Sequence, residues 1–358
     1  MTAPALDLVA LGWDDSWHEA ALGYADVGVA GRVTRVDRGL CRVLTADGPV
    51  RASFGPPVLE AMAADSVCAP CTGDWVIVRH WPDGPDTVEA VLPRRTAVTR
   101  GEASGTSHGQ VLAANADLAA LVVALHPEPN LGRVERMLTM SWQSGARPVV
   151  VLTKADIVAD SEIVAEDIAS TAPGVDVIRT STVTGLGIDR LRAAVQRRLT
   201  VALLGSSGHG KSSLANALVG ADVLSIKPIR DDGKGRHTSV RRELVPLPTG
   251  GAVIDTPGLR GVGLLAVRDG LAAAFPDVDQ FAGCCRFSDC SHRSEPGCAV
   301  QAAVDEGELG VRRLDSWRTL GREQLRSAAR TDVRLRAELA KQRKHLSKRA
   351  RAEARHRR

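Results

Sequence analysis

Gly205-Ser206-Ser207-Gly208-His209-Gly210-Lys211-Ser212 fits the pattern G-x-x-x-x-G-K-[ST], a loop whose backbone N–H groups surround phosphates. An apolar run, Val201–Leu204, reads as the strand entering it, and a helix over 211–219 leaves it. That context is what the motif needs, because the helix N-terminus adds its partial positive charge at the same point. Lys211 is expected to reach the β- and γ-phosphates, and the Ser212 hydroxyl to ligate Mg²⁺, with Ser213 completing the turn. The loop therefore predicts an α/β nucleotide-binding domain.

Two further elements decide which nucleotide, and their order is unusual. Downstream, Asp255-Thr256-Pro257-Gly258 ends an apolar run and supplies D-x-x-G. Asp255 then emerges at the carboxyl edge of the sheet, placed to hold Mg²⁺ through water, and Gly258 N–H is placed to sense a γ-phosphate. Upstream of the phosphate loop lies Thr153-Lys154-Ala155-Asp156, after the apolar run Pro148–Leu152. Asp156 can accept two hydrogen bonds from guanine, which adenine cannot supply, and the Lys154 stem can cover the base. Ser181-Thr182-Val183-Thr184-Gly185 follows the next strand signal, Val175–Arg179, and fits a loop whose backbone contacts guanine. The base-reading elements thus precede the phosphate loop they should follow, the arrangement of a circularly permuted GTPase domain. An unpermuted ATPase with only a phosphate loop leaves both upstream elements unexplained.

The catalytic group is less direct. The position after D-x-x-G, where a glutamine orients water in many GTPases, is Leu259. Between the loop and D-x-x-G lies Gly233-Lys234-Gly235-Arg236-His237-Thr238-Ser239, which suits a mobile switch. Thr238 is expected to close on Mg²⁺ when GTP is bound, and His237 to hydrogen-bond the attacking water. His209 stands where a small apolar residue is commoner, and the sequence assigns it no role.

Seven cysteines occur, and four fall within Cys284–Cys298. Cys285-x4-Cys290-x-His292-x5-Cys298 offers three thiolates and an imidazole, the ligand set of a closed structural Zn²⁺ site. Adjacent Cys284 makes the first ligand ambiguous, with Cys285 preferred. This clustering argues for metal in a reducing compartment, not a disulfide framework. Cys68 and Cys71 form a C-x-x-C without a second pair nearby and read as unremarkable members of a β domain.

Outward from these motifs, residues 28–95 carry short β-rich runs separated by turn signals: Gly31–Val36, Leu40–Leu44, Asp74–Val78 and Val88–Leu92. They suit a small barrel of OB size. Residues 1–25 suggest a short helix containing Trp13 and Trp17, and the Gly/Ser-rich stretch 101–109 reads as a linker. Strands at Ala119–Leu125 and Ala252–Ile254 and helices over 131–142, 161–171 and 187–198 complete an α/β alternation. Strand signals stop after residue 264. The predicted division is an extension and barrel over 1–100, a permuted G domain over 101–265, and a helical metal module with a basic tail over 266–358.

At 44% hydrophobic and 25% charged residues the composition is that of a soluble globular chain. The N-terminus lacks the basic start of a secretory signal, and no apolar run approaches membrane-spanning length. The net charge of +4 is unevenly placed. Residues 341–358 hold nine Lys/Arg and one Glu, leaving 37 basic against 41 acidic residues elsewhere. Such a tail suits a polyanion such as RNA.

Taken together, the chain resembles the RsgA (YjeQ) family of ribosome small-subunit-dependent GTPases along essentially its whole length. The most specific pieces are Gly235-Arg236-His237-Thr238, Asp255-Thr256-Pro257-Gly258 and the run Cys285–Cys298. The resemblance implies an OB-fold barrel, hydrolysis of GTP to GDP stimulated by the small subunit late in its maturation, and contacts to ribosomal RNA. It implies a role in hydrolysis for His237 and a cytoplasmic, membrane-free location; a monomer is expected. Departures are Thr153 where the family carries Asn, Thr182 for a common Ala, and His209. A permuted GTPase of the large subunit and a nucleotide-gated, non-catalytic RNA adaptor are the rival readings. The barrel and the Cys₃His module argue against the first; Leu259 motivates the second.

Overall fold

In the computed structural model, residues 7–100, 109–195, 198–224, 242–259, 269–341 and 344 are described. The expected switch loop with His237 and Thr238, most of the Gly/Ser-rich stretch, and most of the basic tail lie outside them.

The chain opens with a 3-10 turn, Leu8–Leu11, and helix α1 (Asp15–Ala21). Asp14 caps α1 by accepting from Ser16 and Trp17 N–H, so Trp17 is helical while Trp13 precedes the helix. Strands β1 (Val29–Asp37), β2 (Leu40–Thr45) and β3 (Gly48–Phe54), helix α2 (Pro56–Ala64), and strands β4 (Trp75–Arg79) and β5 (Thr87–Val91) follow. They close a barrel in the order β1-β2-β3-β5-β4. Trp13 and Trp17 pack on the buried Trp75 at ring-centroid distances of 4.8 and 6.1 Å. β3 and α2 carried no signal in the sequence reading: Arg51, Ala52 and Ser53 give β3 no apolar alternation.

Strands β6 (Ala97–Arg100) and β7 (Gln110–Ala114) pair antiparallel. The stretch expected to be a linker therefore joins the arms of a hairpin. That hairpin bridges the barrel and the next layer. Ala114 N–H donates to Thr72 O, and Asn115 Oδ1 accepts from Arg95 N–H. A Cβ on Gly73 would lie 2.1 Å from Ala114 O, so only glycine permits this approach. Arg32, 2% exposed, donates across the same seam to Leu11 O, Asn115 O and Thr200 Oγ1, and burial pulls its pKa down to about 10.

The central layer runs β8 (Leu118–Ala124), α3 (Leu131–Gln143), β9 (Arg147–Thr153), α4 (Ser161–Ser170), β10 (Val177–Arg179), α5 (Ile188–Ala194), β11 (Thr200–Leu204), α6 (Lys211–Val219), β12 (Glu243–Pro246) and β13 (Ala252–Asp255). Among the described residues the sheet order is β10-β9-β8-β11-β13-β12, parallel except for β12. Numbered from β11 and wrapping round the chain ends, that order is 2-3-1-4-5-6. The chain thus enters a doubly wound sheet at its fourth strand, which is the permutation read from the motifs. The strand order reverses at the β11/β8 boundary, where such sheets bind ligands.

Helices α7 (Asp269–Ala274), α8 (Pro276–Ala282), α9 (Ala299–Asp305) and α10 (Val311–Thr331) complete the fold. They dock on α3 through buried charge. Glu135, with no exposed side-chain surface, accepts from Arg312 and Arg313 at 3.0 Å each. Arg313, 6% exposed at its side chain, also bonds Asp277, Thr171 O and Ala274 O, and lies 4.1 Å from the Phe275 ring centroid. Removing one partner of a buried pair strands the other, at about 3–5 kcal/mol. Arg313 keeps Asp277 and Arg312 is half exposed, so Glu135→Ala strands neither fully and should destabilise the protein by about 1–3 kcal/mol, the cost of the lost buried hydrogen bonds. Urea unfolding monitored at Trp317 on α10 should show an earlier transition, and an unchanged midpoint would refute the clamp.

Candidate functional site

β11 delivers the chain to Gly205 and α6 begins at Lys211, so residues 205–210 form the predicted loop at the carboxyl edge of the sheet. Gly208 and Gly210 have φ of 81° and 86°, left-handed values that glycine accepts without strain. Lys211 folds back, its Nζ donating to Gly205 O at 3.0 Å and Ser206 O at 2.9 Å. Burial pulls its pKa down to about 8; Asp255 opposes this and the Arg133 charge adds to it. Ser206 Oγ is buried without a partner among the described residues.

β13 pairs with β11 in register Leu203↔Asp255, and this brings D-x-x-G onto the loop. Ser212 Oγ donates to Asp255 Oδ2 at 2.7 Å. Asp255 Oδ1 is buried with no partner among the described residues, and burial raises the carboxyl pKa. A hydroxyl beside a carboxylate with one unsatisfied oxygen is a donor set that a hard cation fits. Thr256 Oγ1 donates to Leu203 O at 2.6 Å, and Leu259 N–H to Gly205 O at 2.9 Å. A Cβ on Gly258 would stand 2.5 Å from Ser207 N, so glycine is required there. Leu259 itself is 2% exposed and belongs to the core, so its side chain is unavailable to solvent water.

β9 carries the base-reading element to the same place. Thr153 Oγ1 donates to His209 O at 2.7 Å, tying that element to the phosphate loop. The threonine at the expected Asn position therefore keeps a polar bond across the two motifs. Lys154 has φ 60°, a left-handed value uncommon outside glycine, and ends the strand abruptly. Asp156 is exposed on the 3-10 turn Ala155–Ile157. Ala155 N–H donates to Thr180 O, and Ser181 Oγ accepts from Val183 and Thr184 N–H, so this element and 181–185 form one surface, with Thr182 exposed.

His209 acquires a structural account. Its Nδ1 lies 3.1 Å from Val122 O and 3.4 Å from Ala124 N, so the ring ties the loop to the end of β8. Burial lowers its pKa, favouring the neutral ring.

Cys285, Cys290, His292 and Cys298 present ligand atoms all within 4.8 Å of one another. Cys285 Sγ lies 3.9 Å from Cys298 Sγ, and His292 Nδ1 lies 3.5 and 3.6 Å from those two sulfurs. A tetrahedral ion with metal–sulfur bonds of ~2.3 Å and metal–nitrogen bonds of ~2.0 Å needs edges of about 3.8 and 3.6 Å, so the group fits one ion. Cys284 is exposed, its sulfur 3.8 Å from Gln280 O, and stands outside the group. Trp317 packs edge-on against His292 at 5.5 Å, and Gln301 and Arg318 donate to His292 O. Cys71 is buried, its thiol pushed up to about 12 by burial and bonded to Val111 O, while Cys68 is exposed.

Sequence reasoning missed Arg133 and Glu135. Arg133 donates to Leu259 O at 2.6 Å from the first turn of α3. An Arg and a Glu on an amphipathic helix read as its solvated face, so no local signal distinguished them.

Fold and site together define a circularly permuted P-loop GTPase. A profile described as RsgA GTPase matches residues 91–265. A relative from Streptomyces coelicolor, the small ribosomal subunit biogenesis GTPase RsgA, is 51% identical over 94% of this chain and 91% of its own length. Another from Lactiplantibacillus plantarum, the small ribosomal subunit biogenesis GTPase RsgA 2, is 41% identical over 82% of this chain and 83% of its own. The crystal structure of YjeQ from Thermotoga maritima matches with a TM-score of 0.60 at 25% identity, covering 83% of this chain and 98% of that one. The structure of YloQ, a circularly permuted GTPase, shares the fold at a TM-score of 0.55 and 22% identity, covering 81% of this chain and 92% of that one. The chain belongs to the RsgA GTPase family.

The position of Lys211 has a pH consequence. Burial holds its pKa down to about 8, and phosphates beside the ammonium would raise it. Between those two values binding takes up a proton, so affinity falls as pH rises. GDP titrations should give a flat Kd below pH ~7 and weakening above pH ~8, approaching tenfold per unit. Lys211→Arg, whose guanidinium stays charged, should lose that slope and separate it from titration of the base. A flat wild-type profile would contradict the assignment.

Proposed function

We propose that this chain is a Mg²⁺-dependent GTPase that acts on the small ribosomal subunit late in maturation, hydrolysing GTP to GDP and phosphate as an assembly checkpoint. The observation that carries the reading is the convergence of Thr153, His209, Ser212 and Asp255 on one sheet edge from both sides of the permutation. The names of the relatives support the subunit as partner.

In this reading Gly205, Ser206, Ser207, Gly208, His209, Gly210 and Ser213 cradle the phosphates. Lys211 neutralises charge on them, and Ser212, Thr238 and Asp255 hold Mg²⁺, which supplies charge stabilisation when bound. Thr153, Lys154, Ala155, Asp156, Ser181 and Thr182 read guanine, and Gly258 senses the γ-phosphate. His237 orients the attacking water, because Leu259 is apolar and buried. Phosphoryl transfer depends mainly on positioning and charge, so the imidazole need not remove a proton outright. Cys285, Cys290, His292 and Cys298 hold a structural Zn²⁺; four protein ligands leave no open position. Residues 1–100 and 266–358 contact ribosomal RNA, the basic tail adding charge, while 101–265 carry the nucleotide. The protein acts in the cytoplasm as a monomer; no described helix is long and apolar enough to cross a membrane.

The test is GTP turnover alone and with each purified subunit. Stimulation by the small subunit only is expected. Stimulation by the large subunit, or none with retained RNA binding, would favour a large-subunit GTPase or a non-catalytic adaptor. His237→Ala should retain GTP and subunit binding yet lower stimulated turnover by roughly tenfold to a thousandfold. Full stimulated turnover in that variant would remove His237 from the mechanism.

Zinc is checked separately. Wild-type protein should carry one equivalent by metal analysis, and Cys290→Ala should lose it together with protection of residues beyond 280, because metal-binding free energy is also folding free energy. A variant that retains stoichiometric zinc would overturn the ligand set.

A further inference from the structure

The peptide groups on either side of Leu259 are held from two directions. Its N–H donates to Gly205 O at the start of the phosphate loop, at 2.9 Å. Its carbonyl accepts from Arg133 Nη2 at 2.6 Å. The side chain between them is buried in the core cluster that includes Val134 and Met137 of α3. Gly258, one residue earlier, is pressed against Ser207. The exit of D-x-x-G is thus fixed to the phosphate loop on one side and to the first turn of α3 on the other.

That first turn is itself fixed. Asn130 Oδ1 caps α3 by accepting from Arg133 N–H at 2.9 Å. Two residues on, Glu135 is locked to Arg312 and Arg313 of α10, and Arg136 pairs with Glu323 of α10 at 2.7 Å. On the far turns, a Cβ on Gly270 of α7 would come within 2.6 Å of Thr139 O, so α7 and α3 pack backbone to backbone. The helix that holds the Leu259 carbonyl is therefore the helix on which the metal-binding module sits.

From this geometry we infer that Arg133 is a positioning residue for GTP hydrolysis, and that α3 is the element through which the C-terminal module fixes the D-x-x-G segment. The inference rests on the GTPase reading and deepens it. The side chain at 259 is buried and cannot orient water, so residue 259 acts through its backbone alone. Backbone groups are effective only when their direction is set before the reaction. Gly205 fixes the N–H of residue 259, and Arg133 fixes its carbonyl. A guanidinium suits the task because its fork is rigid and always charged. Its charge also bears on Lys211, which places it beside the phosphate site.

Arg133 is exposed, and it lines an open groove of about 950 Å³ between α3 and α10. Truncating it enlarges that groove and leaves no sealed cavity, so global stability should be preserved. This separates positioning from packing.

The experiment uses full-length protein in single-turnover GTP hydrolysis, with GDP affinity and thermal melting measured alongside. Arg133→Ala should lower the hydrolysis rate about five- to fiftyfold, below the ~100-fold expected for a misplacement of 1 Å. GDP affinity should stay within about twofold, and the melting temperature within about 1 °C. Arg133→Lys retains a donor and should recover at least part of the rate. Arg136→Ala, which removes one tie between α3 and α10 and leaves Glu135 in place, should lower the rate in the same direction but by less than Arg133→Ala does. A wild-type rate in Arg133→Ala would overturn the inference alone. So would a loss in which rate, affinity and melting temperature fall together, the signature of a packing role. Failure of the wild-type protein to hydrolyse GTP under any condition would remove both this inference and the function on which it rests.

Discussion

The parallel pairing of β11 with β8 is the constraint on which the rest of the structure depends. In sequence these strands are separated by two further strands and three helices. In space they are neighbours, with Leu204 opposite Leu121. That one ladder places the phosphate loop beside the strands that end in the proposed guanine-reading elements. It also creates the reversal of strand order at which a ligand can reach several strand ends at once. The bond from Thr153 to His209 O closes the arrangement, because it crosses the junction that permutation has cut in the chain. Continuity of the backbone is not what holds the site together here; the sheet is.

Permutation also changes what lies next to the switch. After D-x-x-G the chain builds the helical Cys₃His module, which packs on α3. The contact is unusual in chemistry. A carboxylate with no solvent exposure and two arginines sit between the units, where apolar packing would be the simpler solution. Buried ion pairs contribute little net stability compared with well-packed apolar groups, but they tolerate few alternative geometries. Glu135 can satisfy both oxygens only where Arg312 and Arg313 meet it, so the pair fixes the register of α10 on α3. The same logic operates at the other seam, where Arg32 bridges barrel, hairpin and sheet with three donated bonds.

Much of this was legible in the residues. Each strand predicted for the central sheet occurs within a few positions of its expected bounds, because strands buried on both faces are continuous apolar runs such as Pro148–Leu152. β3, β6, β7 and β12 were not legible. β6, β7 and β12 span only four or five residues, and the residues of β3 alternate poorly. β6 and β7 flank a glycine-rich stretch whose composition imitates a linker, and only their pairing reveals a hairpin. The clustering of Cys285, Cys290, His292 and Cys298 was legible from spacing, while the choice between Cys284 and Cys285 required knowing which sulfur faces His292.

The sequence by itself determined the motifs, their permuted order and hence the class of domain, because phosphate loops and thiolate clusters are local in the chain and carry their chemistry in residue type and spacing. Tertiary structure alone decided what joins them. Arg133 and Glu135 are ordinary helix residues until α3 is set against Leu259 and α10. His209 is an anomaly in its motif until Val122 and Ala124 stand opposite it. These roles arise from burial and from partners distant in sequence, and burial is a property of the folded chain that no local pattern encodes.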